Sequence, residues 1–193
     1  MNICLASGSP RRLELLRALG HEVRVIKPDI QELTKTNSSN LASLALANAR
    51  LKAEHVFEHQ YLLDADFILG ADTIVVLKDQ IFGKARDSQE AEAILLSLSG
   101  QTHQVITGFF LINNEQKRES YVVSEVKFRE LSLKEIKAYV RLGESLDKAG
   151  AYGIQGAGAA LIHTIQGSVT NIIGLPVAEV LHEAKLFYAR RKA

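Results

Sequence analysis

The stretch that joins the first strand to the first helix reads Leu5-Ala6-Ser7-Gly8-Ser9-Pro10-Arg11-Arg12. The apolar run from Met1 to Ala6 predicts a buried strand. Ser9 is a suitable N-cap, and Pro10 suits the first helical position, where its missing N–H costs nothing. The chain is therefore expected to begin with a strand that leads directly into a helix.

The same stretch carries two cations where a helix disfavours them. Arg11 and Arg12 lie in the first helical turn, at the positive end of the dipole, so a negative group is expected to compensate them. Backbone N–H groups, the hydroxyls of Ser7 and Ser9, and the two guanidinium groups would together hold a phosphate. The alternative is a capped surface helix with two solvated arginines.

Composition limits the classes of protein that the chain can represent. Its 193 residues are 47% hydrophobic and 23% charged, with a formal net charge of +1. We expect a single soluble domain over residues 1–193 with a full-sized core. The balanced charge argues against nucleic-acid binding, and no apolar stretch is long enough to span a membrane. The lone Cys4 lies in an apolar run and no secretory signal precedes it, which predicts a buried thiol and a cytoplasmic location.

Apolar runs rich in β-branched residues alternate with helical periodicity, which predicts an α/β fold with a central sheet. Asn113-Asn114 separates two such runs as a hairpin turn does, so the sheet is expected to be mixed. A lobe boundary is expected near Ser99-Gly100. Predicted strands cover Met1–Ala6, His21–Ile26, Phe67–Leu77, Val105–Ile112 and Tyr121–Phe128. The first predicted helix runs from Pro10 to about Leu19 and stops at Gly20, and the second covers Leu41–Phe57 after a polar loop at Thr34–Asn40. A capping box at Asp87/Glu90 begins a helix that ends at Leu98, and another at Ser132/Glu135 begins a helix that ends near Gly143. The last predicted helix runs from Pro176 to the tail Arg190-Arg191-Lys192.

A second motif, Gly70-Ala71-Asp72-Thr73, brings a carboxylate to a turn of small residues inside an apolar segment. Ligand sites favour the ends of strands, and a buried carboxylate needs a cation or a donor. Asp72 is therefore a candidate metal ligand or general base, and the alternative is a structural aspartate that satisfies nearby amides. Glu32 could supply a second carboxylate, although glutamates are usually solvated.

Two cations could complete a phosphate site. Lys84 follows Phe82-Gly83, and Arg50 lies on the long helix. Both side chains suit anions, although most lysines and arginines are simply solvated.

A third motif, from Asp147 to Gly158, is rich in small residues that let a ligand approach the backbone closely. Gln155 is its useful polar group. A fixed amide there matches the O4 and N3–H edge of uracil or thymine, whereas cytosine presents the opposite pattern. The alternative is a glutamine packed in a tight turn for structural reasons.

These motifs together resemble the Maf family of nucleoside triphosphate pyrophosphatases, also described as septum-formation inhibitors. The family patterns are met at Ala6–Arg12, Gly70–Thr73 and Asp147–Gly156, and the form of these motifs is similar to the branch that acts on dTTP and UTP. The resemblance implies a mixed, elongated and twisted β-sheet flanked by helices, in two packed lobes with a cleft between them, as in inosine triphosphatases. It also implies hydrolysis to the monophosphate and pyrophosphate, removal of unwanted nucleotides, and a homodimer.

Residue roles follow from the same resemblance. Asp72 matches the family's proton acceptor, and Asp72 and Glu32 would hold Mg²⁺ or Mn²⁺ with the substrate phosphates. Positions associated with substrate choice are matched by Arg11, Thr73 and Gln155, and the surrounding polar site by Ser7, Arg12, Glu32 and Lys84. The family often has lysine where Arg50 stands, which puts the role of Arg50 in doubt.

Three alternatives stay open at the level of sequence. The chain could hydrolyse 7-methyl-GTP, or it could bind a nucleotide as a non-catalytic regulator of septum formation. His55-Val56-Phe57-Glu58-His59 also satisfies the pattern of one group of zinc peptidases, although no third ligand is evident.

Overall fold

The computed structural model describes residues 1–36, 40–59 and 65–189. Part of the predicted loop Thr34–Asn40 and the tail Arg190-Arg191-Lys192 lie outside these residues. The strands are β1 (Asn2–Ala6), β2 (Glu22–Val25), β3 (Phe67–Leu77), β4 (Gln80–Phe82), β5 (Thr102–Ile112), β6 (Lys117–Phe128) and β7 (Ile162–Gln166). The helices are α1 (Pro10–Ala18), α2 (Ala42–Glu58), α3 (Ser88–Leu98), α4 (Leu133–Arg141), α5 (Val169–Ile173) and α6 (Val177–Ala189).

The sheet is mixed, as predicted. Its order is β2-β1-β3-β5-β6-β7, and β4 pairs with β3 to complete seven strands. Strand β1 pairs in parallel with both β2 and β3, and the helices α1 and α2 provide the crossovers that parallel pairing requires. The β3–β4 and β6–β7 pairs are antiparallel. The short elements β4, β7 and α5 have no counterpart among the predicted ones, because short segments carry little periodicity.

Local signals set most helix ends. Gly20, Gly100 and Gly143 have positive φ values of 76°, 69° and 76° and follow α1, α3 and α4 as predicted. Ser132 and Glu135 form the full predicted capping box. At α3 only half of the predicted box is present, since the Glu90 carboxylate accepts the N–H of Arg86 and not that of Asp87.

Two details at helix starts differ from the prediction. Helix α6 begins at Val177 and not at Pro176. Ser9 occupies the N-cap position of α1, but its hydroxyl makes no capping hydrogen bond. Its own N–H donates to Ser7 Oγ at 3.2 Å, so a turn between the two serines replaces the predicted side-chain cap.

Contacts between residues divide the chain into two compact units. The first contains Met1–Asp72, Thr107–Val122 and Gly174–Ala193, and the second contains Thr73–Ile106 and Val123–Ile173. The boundary predicted near Ser99-Gly100 is wrong, because both residues lie inside the second unit. Strands β3, β5 and β6 each contribute residues to both units, so a boundary in this chain is not marked by linker composition.

In the first unit, α2 packs against the sheet through small residues. A Cβ on Gly70 would lie 2.1 Å from the carbonyl oxygen of Ala49, and one on Gly108 would lie 2.6 Å from the carbonyl carbon of Ala45. Only glycine allows backbones to approach this closely. The contact fixes which face of α2 is buried. Cys4 is fully buried beside this helix, as predicted, and burial raises the pKa of its thiol.

The core of the second unit is built around an aromatic cluster. His103, Phe128 and Tyr152 pack edge to face, and His103 Nε2 lies 2.7 Å from the Tyr152 hydroxyl. Burial lowers the pKa of His103 to about 4 and raises that of Tyr152. Tyr152 belongs to the third motif, so this cluster anchors that motif to the unit's core.

Within the described residues, none of the helices has the length and hydropathy that crossing a bilayer requires.

Candidate active site

The site lies where the parallel pairing of β1 with β3 ends. The turn predicted at Gly70-Ala71-Asp72-Thr73 is wrong, because these residues lie inside β3, which continues to Leu77. Ala6, the last residue of β1, pairs with Gly70 of β3. Ser7 directly follows β1, and Asp72 lies two residues beyond Gly70 within β3. Ligand sites of open α/β sheets lie at the carboxyl ends of parallel strands. Ser7 is 5% exposed and Asp72 is 8% exposed, so both are set into the first unit.

Both carboxylate oxygens of Asp72 are bonded. Lys52 Nζ donates to Oδ1 at 2.6 Å, and Asn48 Nδ2 donates to Oδ2 at 3.1 Å. A buried carboxylate without such partners would be strongly unfavourable. The structure therefore holds the Asp72 carboxylate in a defined orientation.

Lys52 also joins Asp72 to the second predicted carboxylate. Its Nζ lies 2.9 Å from Glu32 Oε1, with the Lys52 side chain 8% exposed and that of Glu32 50% exposed. Glu32 and Asp72, which stand forty residues apart in sequence, thus converge on one cation. We refer to Glu32, Asn48, Lys52 and Asp72 as the carboxylate cluster.

Arg12 is not a solvated surface arginine. It is 8% exposed, its Nε donates to the Gly174 carbonyl at 2.8 Å, and its Nη1 donates to Ser7 Oγ and to the Ala71 carbonyl at 3.0 and 2.9 Å. Burial lowers the pKa of Arg12, and the nearby Asp72 charge opposes that shift. Carbonyl oxygens thus supply part of the negative charge expected near this helix start. Arg12 also links Ser7 to Ala71, the residue before Asp72.

The cation that α2 brings to the carboxylates is Lys52, whereas Arg50, which is predicted to help bind phosphate, lies elsewhere on the helix. Arg50 pairs with Glu119 at 2.6 Å, and its guanidinium lies 5.6 Å from the centroid of the Phe110 ring. The hydrogen bond to Glu119 raises the pKa of Arg50. Two residues along a helix turn a side chain through roughly 200°, so Arg50 and Lys52 leave α2 on different faces.

Asn48 and Lys52 are the cluster members that sequence reasoning missed. A signal for them exists. They stand four residues apart on α2, and each directly precedes a buried alanine of the stripe Ala45, Ala49 and Ala53. Polar residues on the buried face of an amphipathic helix need partners, and this marks them as candidates.

In the second unit, the structure brings two predicted segments together. Lys84 forms a backbone bridge with Ala149, and the Gly150 N–H donates to the Gly83 carbonyl at 3.0 Å. The side chain of Lys84 is exposed. The loop before Lys84 and the third motif are therefore held side by side in one unit.

Gln155 is exposed and precedes a short 3₁₀ turn over Gly156–Leu161. Its amide makes no hydrogen bond within the part of the chain that the structure describes. The fixed amide that would separate uracil from cytosine is therefore not present in this structure, and the side chain is free to rotate. Thr73, also predicted to influence substrate choice, is half-buried at the start of this unit, and Arg11 is half-buried on α1.

The zinc-peptidase motif lies at the end of α2. The rings of His55 and His59 are 4.4 Å apart, and His59 Nδ1 lies 2.7 Å from the carbonyl oxygen of His55. Among the described residues, no group of three or more His, Cys, Asp and Glu could hold a metal ion. A zinc site here would need ligands from elsewhere, and the two histidines, half-buried His55 and exposed His59, lie at the end of a surface helix.

Known proteins resemble the chain over nearly its whole length. A family model described as Maf-like protein matches residues 2–187. A protein of Desulfitobacterium hafniense named dTTP/UTP pyrophosphatase is 46% identical over 182 residues, which cover 92% of this chain and 82% of the relative. Proteins with the same name from Clostridioides difficile and Salmonella typhimurium are 42% and 43% identical, and the matches cover 98% and 97% of this chain and 96% and 93% of theirs.

Among solved structures, the Staphylococcus aureus Ham1 protein is similar with a TM-score of 0.52 and 13% identity. The match covers 89% of this chain and 86% of that one. At such low identity the likeness concerns the fold alone, and it agrees with the mixed sheet flanked by helices.

Proposed function

The chain belongs to the Maf family, and on that premise we propose that it is an enzyme that hydrolyses dTTP and UTP to the monophosphate and pyrophosphate. The relatives with this name match almost end to end. The observation that carries the proposal is the convergence of Glu32 and Asp72 on Lys52. A triphosphate needs cations, and its hydrolysis needs a carboxylate held where water can be activated.

The carboxylate pair fits a divalent cation. Mg²⁺ sites that act on phosphates commonly use one or two carboxylates and complete the shell with water and substrate oxygens. Glu32 and Asp72 lie close enough for both to contact Lys52 Nζ, at 2.9 and 2.6 Å. They would hold Mg²⁺ or Mn²⁺, which would supply neutralisation of phosphate charge and polarisation of the phosphorus–oxygen bonds.

Asp72 orients a water molecule and accepts its proton as the water oxygen attacks the α-phosphorus. The bond from the α-phosphorus to the bridging oxygen breaks, and pyrophosphate leaves. Lys52 and Asn48 keep the carboxylate in place during this step. A fixed charge network of this kind stabilises the transition state without reorganising.

Phosphate binding falls to the β1–α1 junction. Ser7, Ser9 and Arg11 lie there with the first amides of α1. Arg12 already donates three hydrogen bonds to protein oxygens, so its part is to hold Ser7 and Ala71 in position and to add positive charge. Arg50 is engaged by Glu119 and has no part in this proposal.

Thr73, Lys84 and Gln155 take their roles from the family resemblance. Lys84 would neutralise phosphate charge, while Thr73 and Gln155 would influence which base is accepted. Because the Gln155 amide can rotate, its preference for uracil and thymine over cytosine would arise only when substrate fixes it. Turnover of CTP relative to UTP is therefore the informative comparison.

The test measures pyrophosphate release from dTTP, UTP, CTP, GTP and 7-methyl-GTP with Mg²⁺ or Mn²⁺. We expect metal-dependent turnover of dTTP and UTP that falls at least about 100-fold in Asp72→Asn. Asp79→Asn, a change at an exposed aspartate just beyond β3, is the matched control and should behave as wild type. Turnover of 7-methyl-GTP alone would overturn the choice of substrate. Nucleotide binding without turnover would favour the non-catalytic regulator.

Two further points belong to the proposal. The homodimer implied by the family resemblance is tested by sedimentation equilibrium of the purified chain. A cytoplasmic location agrees with the free buried Cys4, because reducing compartments keep thiols unpaired.

A further inference from the structure

Asn48 bonds to the backbone of Leu33 as well as to Asp72, and the reaction above does not explain the Leu33 contacts. It is 2% exposed on α2. Its Oδ1 accepts the Leu33 N–H at 2.8 Å, and its Nδ2 donates to the Leu33 carbonyl at 3.0 Å and to Asp72 Oδ2 at 3.1 Å. Both amide hydrogens and the amide oxygen are therefore in use.

These partners fix the orientation of the amide. A carboxylate can only accept, so Nδ2 must face Asp72, and the Leu33 N–H can only donate, so Oδ1 must face Leu33. Rotation of the amide by 180° would place Oδ1 against Asp72 and the Leu33 carbonyl, which are acceptors, and Nδ2 against the Leu33 N–H, which is a donor. The side chain is thus held by charge and hydrogen-bond chemistry as well as by packing.

The contact with Leu33 matters because of its neighbour. Glu32 precedes Leu33, in a segment that is neither helix nor strand in the described residues. Its backbone has no ladder to hold it, and the Asn48 amide pairs with both polar backbone groups of Leu33, as a neighbouring strand would. One side chain therefore ties the Glu32 segment to α2 and at the same time orients Asp72.

We infer that Asn48 is a positioning residue that fixes where Asp72 and Glu32 lie relative to each other. It stands one helical turn before Lys52, the cation that both carboxylates share. This inference rests on the proposed function, since it assigns Asn48 a role in the step that Asp72 performs. Removal of a group that orients a ligating or catalytic carboxylate commonly lowers activity by about 10- to 100-fold. The loss should lie in kcat, because Asn48 makes no contact that is expected to bind nucleotide.

The experiment compares three variants of the full chain. Asn48→Leu keeps the volume and removes all three hydrogen bonds. Asn48→Asp keeps an acceptor for the Leu33 N–H but removes the donor and places a like charge beside Asp72. Val56→Ala is the control for stability, because it opens a cavity on the same buried face of α2, away from the carboxylate cluster. Each is assayed for kcat and KM with dTTP, and for hydrogen exchange of the Leu33 amide without metal or nucleotide.

In Asn48→Leu, we expect kcat to fall about 10- to 100-fold with KM within about two-fold of wild type, and Leu33 exchange to accelerate. In Asn48→Asp, kcat should fall by a similar factor while Leu33 keeps most of its protection. Val56→Ala should retain the wild-type kcat. Two results would overturn the inference: a wild-type kcat in Asn48→Leu, or a loss of kcat in Val56→Ala equal to that in Asn48→Leu. Neither result would overturn the proposed function, which Asp72→Asn tests separately. Absence of turnover in the wild type would overturn the proposed function, and the positioning role with it.

Discussion

The carboxylate cluster of the first unit and the Lys84 and Gln155 region of the second unit are built in opposite ways. In the cluster, Lys52 and Asp72 are 6% and 8% exposed, and each is bonded to other side chains. In the second region, Lys84 and Gln155 are exposed, and neither side chain is hydrogen-bonded within the described residues.

The difference indicates how the two regions would act. Charges that are fixed before substrate arrives stabilise a transition state without reorganising. Long exposed side chains lose rotamer entropy when they are ordered, about 1.5–2 kcal/mol for lysine or glutamine, so they contribute a smaller net amount to binding. Single changes in the cluster should therefore have large effects, and changes in the second region should be graded.

The largest expected effect comes from removing the shared cation of the cluster. Lys52→Met removes the ion-pair partner of the buried Asp72, which should lower the free energy of unfolding by about 3–5 kcal/mol. We expect kcat to fall at least about 100-fold in the fraction that remains folded. Urea unfolding and dTTP turnover measure the two quantities.

Arg50→Met is the matched control for that change, on the same helix. Its pair with Glu119 is largely exposed, so stability should change by less than about 1 kcal/mol and kcat should stay near wild type. Equal losses in the two variants would contradict the assignment of Lys52 as the cation of the cluster.

A second large effect concerns the core beneath the third motif. Burial lowers the folded-state pKa of His103 from 6.5 to about 4, so the stability that its neutral form contributes is present above pH 6.5 and is lost as pH falls toward 4. The difference corresponds to about 3 kcal/mol. Urea unfolding between pH 7.5 and pH 4.5 should show this loss in wild type and a flatter dependence in His103→Phe. His163→Gln, at an exposed histidine, should keep the wild-type dependence.

A smaller effect is expected where α2 meets the sheet. Gly70→Ala puts a Cβ 2.1 Å from the Ala49 carbonyl oxygen, so α2 must move away and carry Asn48 and Lys52 with it. We expect a loss of about 1–3 kcal/mol in stability together with a fall in kcat. Gly83→Ala, where the added Cβ meets nothing within 4 Å, is the control and should change neither. A wild-type kcat in folded Gly70→Ala would show that the cluster tolerates displacement of its helix.

The smallest effect is expected at Gln155. Gln155→Ala removes an amide that makes no hydrogen bond within the described residues, so kcat/KM for UTP should fall only by the net worth of one hydrogen bond, about 0.5–1.5 kcal/mol. The ratio of UTP to CTP turnover should narrow, while kcat for the variant at saturating dTTP stays close to wild type. A loss of activity in Gln155→Ala as large as that in Lys52→Met would contradict the proposed difference between the two regions.

Much of the secondary structure follows from local chemistry. Gly20, Gly100 and Gly143 end helices because they adopt positive φ at little cost, and the Ser132/Glu135 box begins α4 because it satisfies the first amides of the helix. Strand β3 matches the predicted range Phe67–Leu77. The division into units did not follow, because three strands pass between the units without any change in composition.

The candidate site divides in the same way. Sequence motifs selected Asp72, Ser7 and Arg12, since a carboxylate in an apolar segment and arginines at a helix start each need a partner of opposite charge. The family resemblance gave Glu32 its role as a metal ligand. The sequence analysis also selected Arg50 and missed Lys52, because the apolar stripe of α2 marks its buried face but does not show which partner a polar residue on that face meets.

Tertiary structure decided those partners. Gly70 and Gly108 admit the backbone of α2 at Ala49 and Ala45, and this rotation turns Asn48 and Lys52 toward Asp72 and leaves Arg50 to Glu119. The sequence by itself determined the helices, the strands and the charged groups, because those depend on neighbours along the chain. Which cation meets which carboxylate depends on close approach between segments far apart in sequence, and only the folded chain sets that approach.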